Sequence, residues 1–326
     1  MKVDAALPYT LARAQTHVAD YLQLVRPRLA LLVLVTVGAG WLLAAGREPD
    51  WFPLAHALIG TALLFAGASA LNQLLERHRD ALMPRTANRP LPAGRLQPLE
   101  VLALGGILSA AGLVELLVFC QPLAAGLGTF AFLSYVLVYT PLKERTPLST
   151  LVGAVPGAVP PLIGWAAARG SLDSGALALF LIVFLWQVPH FLAIAWIYRD
   201  QYARAGLPVL PVVDPQGEQT GKQMIRYTLL LIPGGVLPCV LGIGGWLAGI
   251  GALALGALFL YRAIVFARAV SWSGDQATAR SGDDPTARDE AATRAARQVL
   301  RMSLVFLPAL FLLLVLDVVL KRMVGH

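Results

Sequence analysis

Residues Ala70–Gly94 read ALNQLLERHRDALMPRTANRPLPAG and lie between two long apolar runs. The stretch holds Asn72, Glu76 and Asp80 together with Arg77, Arg79, Arg85 and Arg89, and Arg95 follows at once. Asn72, Glu76 and Asp80 recur every four residues. At about 100° per residue, positions four apart drift by only about 40°, so the three project from one stripe of a helix. Pro84 disfavours helix in the residue before it, so the helix is expected to stop by Met83. Asn72 then lies just inside a membrane edge, and Asp80 near the last turn. The helix macrodipole disfavours carboxylates at a C-terminus, so two of them there require positive charge from outside the helix. Mg²⁺ meets that need, since it takes one or two carboxylates and completes its shell with water and phosphate. The plainer alternative is that Glu76 and Asp80 pair with Arg77, Arg79 or Arg85 at the surface.

The chain around this stretch has a membrane composition. Of its 326 residues, 57% are hydrophobic and 14% charged, well below the roughly 25% charge of soluble domains. The net charge is +7, but the arginines fall in short loops between apolar runs. That placement points to membrane orientation and anionic ligands rather than to nucleic acid. Cys120 and Cys239 lie in or beside apolar runs and form no metal-binding spacing. No cleaved signal peptide is expected from the polar N-terminus.

Nine apolar runs are long enough to span a bilayer, which takes about 20 residues. They lie near Leu29–Ala45, Leu54–Leu75, Leu99–Cys120, Leu123–Tyr139, Leu151–Ala168, Ala176–Tyr198, Tyr227–Leu247, Ile250–Phe266 and Leu300–Leu320. Alternate connections are basic: Arg26 and Arg28, then Arg77–Arg95, Lys143 and Arg145, Arg199–Arg226 and Arg268–Arg301. The other set carries little charge apart from Arg47, Arg169, Lys321 and Arg322. The positive-inside bias places the N-terminus and every chemically rich loop in the cytoplasm, with the C-terminus outside. The Gly274–Ala292 loop is a solvated linker with helix expected from about Asp289. Asp317 lies deep in the last run and receives no assignment.

Four further motifs share the cytoplasmic face or the spans beneath it. RTANRP supplies Arg85 and Arg89, whose planar forks suit phosphate oxygens. YTPLKERTP ends a run at Tyr139 and adds Lys143 and Arg145. TLVGAVPGAVPPLIGW carries Pro156, Pro160 and Pro161 among glycines. A broken helix lining a cavity tolerates this better than a lipid-facing one, although transporters use the same device. FLWQVPHFLAIAWIYRDQYARAGLPVLPVVD places Trp186, Gln187 and His190 inside a run and Asp200 and Tyr202 after it. A polar group inside a span is a functional candidate. His190 could bind a metal or a haem iron, or it could be a histidine satisfied by a neighbouring helix.

From about Tyr21 onward, these motifs and LVRPRLALLVLVT resemble the intramembrane UbiA prenyltransferase superfamily, and within it the haem O synthase (protohaem IX farnesyltransferase) family. RTANRPLPAG, VGAVPGAVPPLIGW and WQVPHF carry the likeness to the haem-modifying branch. Two positions depart from the pattern. The superfamily's Asn-x3-Asp-x3-Asp has Glu76 as its middle acid, and the branch's usual Glu-Asp-Tyr is Asp200-Gln201-Tyr202. Tyr198 and Tyr202 stand where quinone-type relatives carry two aspartates.

The resemblance implies an all-α integral membrane protein: nine transmembrane helices in a UbiA-type bundle around a central cavity, formed by residues 21–326 after a polar cytoplasmic arm, 1–20. It implies farnesyl diphosphate and haem b as substrates, a membrane of the bacterial inner type with its lipid around the bundle, and a haem A synthase or terminal-oxidase assembly downstream. By the same likeness Asn72, Glu76, Asp80 and Asp200 would hold Mg²⁺. Arg85, Arg89, Lys143 and Arg145 would neutralise the diphosphate. Tyr139, Trp186 and Tyr202 would shield cations, and His190 would contact haem. Two rivals are another aromatic or chlorin prenyltransferase and a transporter. The first should lack the haem-branch segments, and the second has no need of acids and bases crowded at one mouth.

Overall fold

The computed structural model describes residues 18–46, 49–274 and 285–324. Most of the N-terminal arm, Arg47 and residues 275–284 of the polar linker lie outside the described residues. The helices run in chain order: α1 (18–25), α2 (Pro27–Ala44), α3 (Trp51–Asp80), α4 (Pro98–Phe119), α5 (Pro122–Leu133), α6 (Thr140–Leu142), α7 (Ser149–Gly157), α8 (Pro160–Arg169), α9 (Ser174–Ile197), α10 (Arg199–Arg204), α11 (Leu210–Val213), α12 (Glu218–Val240), α13 (Trp246–Gly274) and α14 (Pro285–Val324). A π-helical turn, Ser134–Tyr139, joins α5 to α6.

Among the described residues, nine helical stretches are long and apolar enough to cross a membrane, one for each apolar run. The chain is an integral membrane protein, and its outward faces are greasy accordingly. On α4, Leu99, Ile107 and Leu117 are each more than 60% exposed, as suits side chains meeting lipid rather than water.

Helix ends follow local chemistry. Asp50 caps α3 by accepting from Phe52 N at 3.0 Å, and Asp173 caps α9 through Gly175 N and Ala176 N. The fifth span breaks between α7 and α8, as its prolines predict. Gln187 of α9 closes the break by donating from Nε2 to Ala154 O at 3.3 Å. It sits against Gly157, where an added Cβ would lie 2.1 Å from Gln187 Oε1.

Three elements differ from expectation. The seventh span starts earlier, at Glu218, and ends at Val240 rather than Leu247. The chain turns there through Gly242, whose φ of 79° favours glycine. The last helix is already formed at Pro285, four residues ahead of Asp289. Asp317 has a role after all: its Oδ2 accepts from Gly245 N and Ala248 N, both at 2.8 Å, and so caps α13. Lys321 beside it donates to Gly242 O and Gly244 O.

Helices α2 and α8 pack backbone to backbone. A Cβ on Gly164 would stand 1.9 Å from Val37 O, so only glycine permits this approach, a small-residue contact typical of membrane helix pairs. At the opposite face, Arg322 donates to Leu42 O and Ala45 O, and Arg169 to Ala44 O. Both arginines satisfy carbonyls left open at the C-terminus of α2.

Candidate active site

The acidic stripe forms the last two turns of α3. Asn72, Glu76 and Asp80 are all buried, Asp80 to 1% exposure. The helix stops at Asp80, and the loop after it folds back so that Thr86 Oγ1 donates to Asp80 O at 2.9 Å. This return brings Arg89 Nη1 to 2.5 Å from Asp80 Oδ2. Lys143 Nζ, from the loop after the fourth span, lies 3.1 Å from Glu76 Oε1. The acids thus have cationic partners, but neither the ones nor the place that surface pairing would give. Arg77 turns back to Leu74 O, Arg79 reaches Ala205 O and Glu144, and Arg85 leans toward Tyr198 and Tyr202.

The bases respond to this enclosure. Burial and the like charge of Arg26 lower the Arg89 pKa, with Asp80 opposing them, and the guanidinium stays charged. Burial works against the Lys143 charge, but Glu76, Tyr139 and Tyr202 together outweigh it and hold Lys143 above the ordinary lysine range. One oxygen is left over: Asp80 Oδ1 is buried with no hydrogen-bond partner among the described residues. A buried carboxylate oxygen without a partner is costly. A divalent cation fits that donor, and fits a site whose other acid, Glu76, stands about one turn back on the same helix face.

The π-helical turn delivers the second wall. Such turns recur at functional sites. Thr140 Oγ1 donates to Tyr135 O at 2.9 Å, and Asn72 Nδ2 donates to Thr140 Oγ1 at 3.1 Å. Asn72 therefore ties the acidic stripe to the π turn. Tyr139 stacks on Tyr135 at 5.4 Å between centroids and packs over Gly153, which has no room for a Cβ.

The loop after α9 closes the third side. Tyr202 is buried, with Lys143 Nζ 5.9 Å from its ring centre and Arg85 Nη2 3.5 Å from its hydroxyl. Arg85 also lies over Tyr198 at 4.9 Å, and its N–H donates to Gln201 Oε1. Asp200 is exposed. Among the described residues no three His, Cys, Asp or Glu side chains form a group able to hold an ion, so Asp200 is not gathered with Glu76 and Asp80. Arg145 is exposed too. Trp186 and His190 are half-buried and face α14 instead, where Trp186 Nε1 donates to Ser303 O at 2.7 Å.

Sequence reasoning missed Arg26, Tyr135, Thr140 and Ser303. Arg26 has φ 48°, the only positive φ outside glycine among the described residues. The signal was the following Pro27, which keeps its predecessor out of helix. Tyr135 and Ser303 lie within apolar runs without a pattern to single them out, and Thr140 stands in YTPLKERTP, where Tyr139 and the cations drew the reading.

A model of the UbiA prenyltransferase family matches residues 33–280. The protoheme IX farnesyltransferase of Solibacter usitatus is 47% identical over 254 residues, covering 75% of this chain and 87% of that protein. The protoheme IX farnesyltransferase of Salinibacter ruber is 40% identical over 298 residues, with 91% and 98% covered. Among solved structures, a digeranylgeranylglyceryl phosphate synthase superposes with a TM-score of 0.70 at 18% identity, covering 91% of this chain and 98% of that one. A UbiA homologue from Archaeoglobus fulgidus bound to GPP and Mg²⁺ gives 0.63 at 14%, covering 89% and 99%. The fold is thus that of the intramembrane prenyltransferases, and the chain belongs to the UbiA prenyltransferase family, where it groups with the protoheme IX farnesyltransferases.

Proposed function

We propose that this chain transfers the farnesyl group of farnesyl diphosphate to a vinyl group of haem b, with addition of water, and releases haem O and diphosphate. The observation that supports it is the paired set of buried acids and bases at one membrane edge, with Asp80 Oδ1 left unpartnered. The high identity to protoheme IX farnesyltransferases supplies the substrates. Positive-inside charge bias supports a cytoplasmic mouth and N-terminus, in a membrane of the bacterial inner type. The catalytic domain runs past residue 280, since Trp186 and His190 lean on α14.

Glu76 and Asp80 would hold Mg²⁺, which when bound would offset charge on the diphosphate. Arg89 and Lys143 bind phosphate oxygens, exchanging a carboxylate partner for the incoming anion. Arg85 and Arg145 lie further out and steer the anion inward. As the C1–O bond of the farnesyl chain breaks, its electron pair leaves with diphosphate, and these cations stabilise the charge that develops there. The faces of Tyr139 and Tyr202 lie beside the same cluster and stabilise the allylic cation. The vinyl π pair forms the new C–C bond, and the cation left beside the porphyrin is closed by water, which loses a proton. Trp186 and His190 form the haem side, with His190 as its contact to iron.

The test is purified protein in lipid with radiolabelled farnesyl diphosphate and haem b. Label in a haem product, lost on chelation and restored by Mg²⁺, is the expected result. Movement of substrate without covalent product would establish a transporter instead. Label in an aromatic acid or chlorin but not in haem would establish the other rival.

A further inference from the structure

Ser303 lies buried on α14. Its Oγ is 2.6 Å from Leu300 O and 2.8 Å from His190 Nδ1. A serine hydroxyl has one proton to donate. The Leu300 carbonyl can only accept, so the 2.6 Å contact commits that proton to it. Toward His190 the Ser303 oxygen can then only accept, and Nδ1 must carry the imidazole proton. A neutral imidazole has a single N–H. Nε2 is therefore left with its lone pair, and it bonds to none of the described residues.

The ring is also fixed in direction. Trp186 stacks on it at 4.9 Å with the planes 23° apart, and Phe191 meets it at 5.4 Å and 67°. Trp186 is itself held by the backbone oxygen of the same Ser303. One residue of α14 thus anchors both Trp186 and His190 of α9. Histidines that ligate metals are commonly oriented in this way, with one nitrogen donating to a fixed oxygen and the other aimed at the metal.

We propose that Ser303 is a positioning residue that holds His190 in the Nδ1–H tautomer and so presents Nε2 to the iron of haem b. The proposal rests on the assignment of His190 as the haem contact. It adds the residue that makes that contact possible and the nitrogen that performs it.

Two measurements on the full chain in lipid nanodiscs test it. In haem-free protein labelled with ¹⁵N-histidine, His190 is assigned by loss of its signal in His190→Ala. The expected result is a protonated Nδ1 and an unprotonated Nε2, with that preference lost in Ser303→Ala. A protonated Nε2 in the unaltered chain, or a tautomer indifferent to Ser303→Ala, overturns the role of Ser303 whatever haem does. In haem titrations, Ser303→Ala should weaken haem binding by about tenfold or more and shift the Soret band. Binding of a non-cleavable farnesyl diphosphate analogue should be unchanged. Ser303→Thr should restore both, since its hydroxyl can bond the same carbonyl. Replacing the side chain leaves the Trp186 bond to the Ser303 backbone, so loss of helix packing alone would not produce this pattern. If the tautomer responds as stated while His190→Ala leaves the haem spectrum unchanged, the haem assignment beneath the proposal fails.

Discussion

Arg89→Ala separates what this arginine does for the fold from what it does for the substrate. Its guanidinium is 15% exposed and lies against Asp80, which is 1% exposed. Removing it strands a buried carboxylate whose second oxygen already has no partner. Breaking a buried pair from one side costs about 3–5 kcal/mol, so thermal unfolding in detergent should show a large loss. Arg89→Ala combined with Asp80→Asn removes both charges and should recover much of it. Substrate binding follows different arithmetic. A charge-assisted hydrogen bond to phosphate is worth about 1.5–3 kcal/mol, and each 1.4 kcal/mol is tenfold. Arg89→Ala should therefore weaken a non-cleavable farnesyl diphosphate analogue by about 10- to 150-fold in calorimetric titration. Haem affinity, read from the Soret band, should change little. Equal weakening of both ligands would make Arg89 a structural residue only, and an unchanged diphosphate affinity would remove it from the site.

Other outcomes can be checked with the same preparations. Asp80→Asn should reduce turnover by at least about a hundredfold, the scale of losing one electrostatic group in a site, whereas Glu76→Asp keeps the charge and should be milder; similar losses in folded protein would refute the ranking. Gly164→Ala should destabilise the bundle by several kcal/mol, because its methyl would meet Val37 O at 1.9 Å, and an unfolding temperature equal to that of the unaltered protein would contradict the close α2–α8 contact. Asp317→Asn should cost about 1 kcal/mol as a weakened cap of α13 while leaving the affinities for both substrates unchanged, which binding titrations can check.

The spans were legible because hydropathy needs no knowledge of neighbours. Each of the nine runs became a crossing helix, and the prolines and glycines of 150–165 marked the one that breaks. The four-residue spacing likewise put Asn72, Glu76 and Asp80 on one buried face. Which cation met which acid was not legible. Arg89 reaches Asp80 only because the loop doubles back on Thr86, and Lys143 reaches Glu76 across 67 residues of chain. Asn72 was legible as a polar member of the stripe, but its Nδ2 bond to Thr140 across the π turn was not. Asp317 had no visible partner because its partners are backbone N–H groups, which every sequence possesses equally. Ser303 looked like any small residue in a span until its carbonyl and hydroxyl contacts were in place.

The clasp between the first and last spans also sets an order of events in synthesis. Arg322 is the partner of Leu42 O across 280 residues and of Ala45 O across 277. The first span enters the bilayer with those carbonyls lacking this donor, and they keep waiting for it until the last span has been inserted. The first span is therefore fastened to the last by a residue made only after the last span itself. A nascent chain halted after its eighth span would carry both halves of the acid–base cluster and still lack this fastening, free to present its unfinished edge to a chaperone or a neighbouring chain.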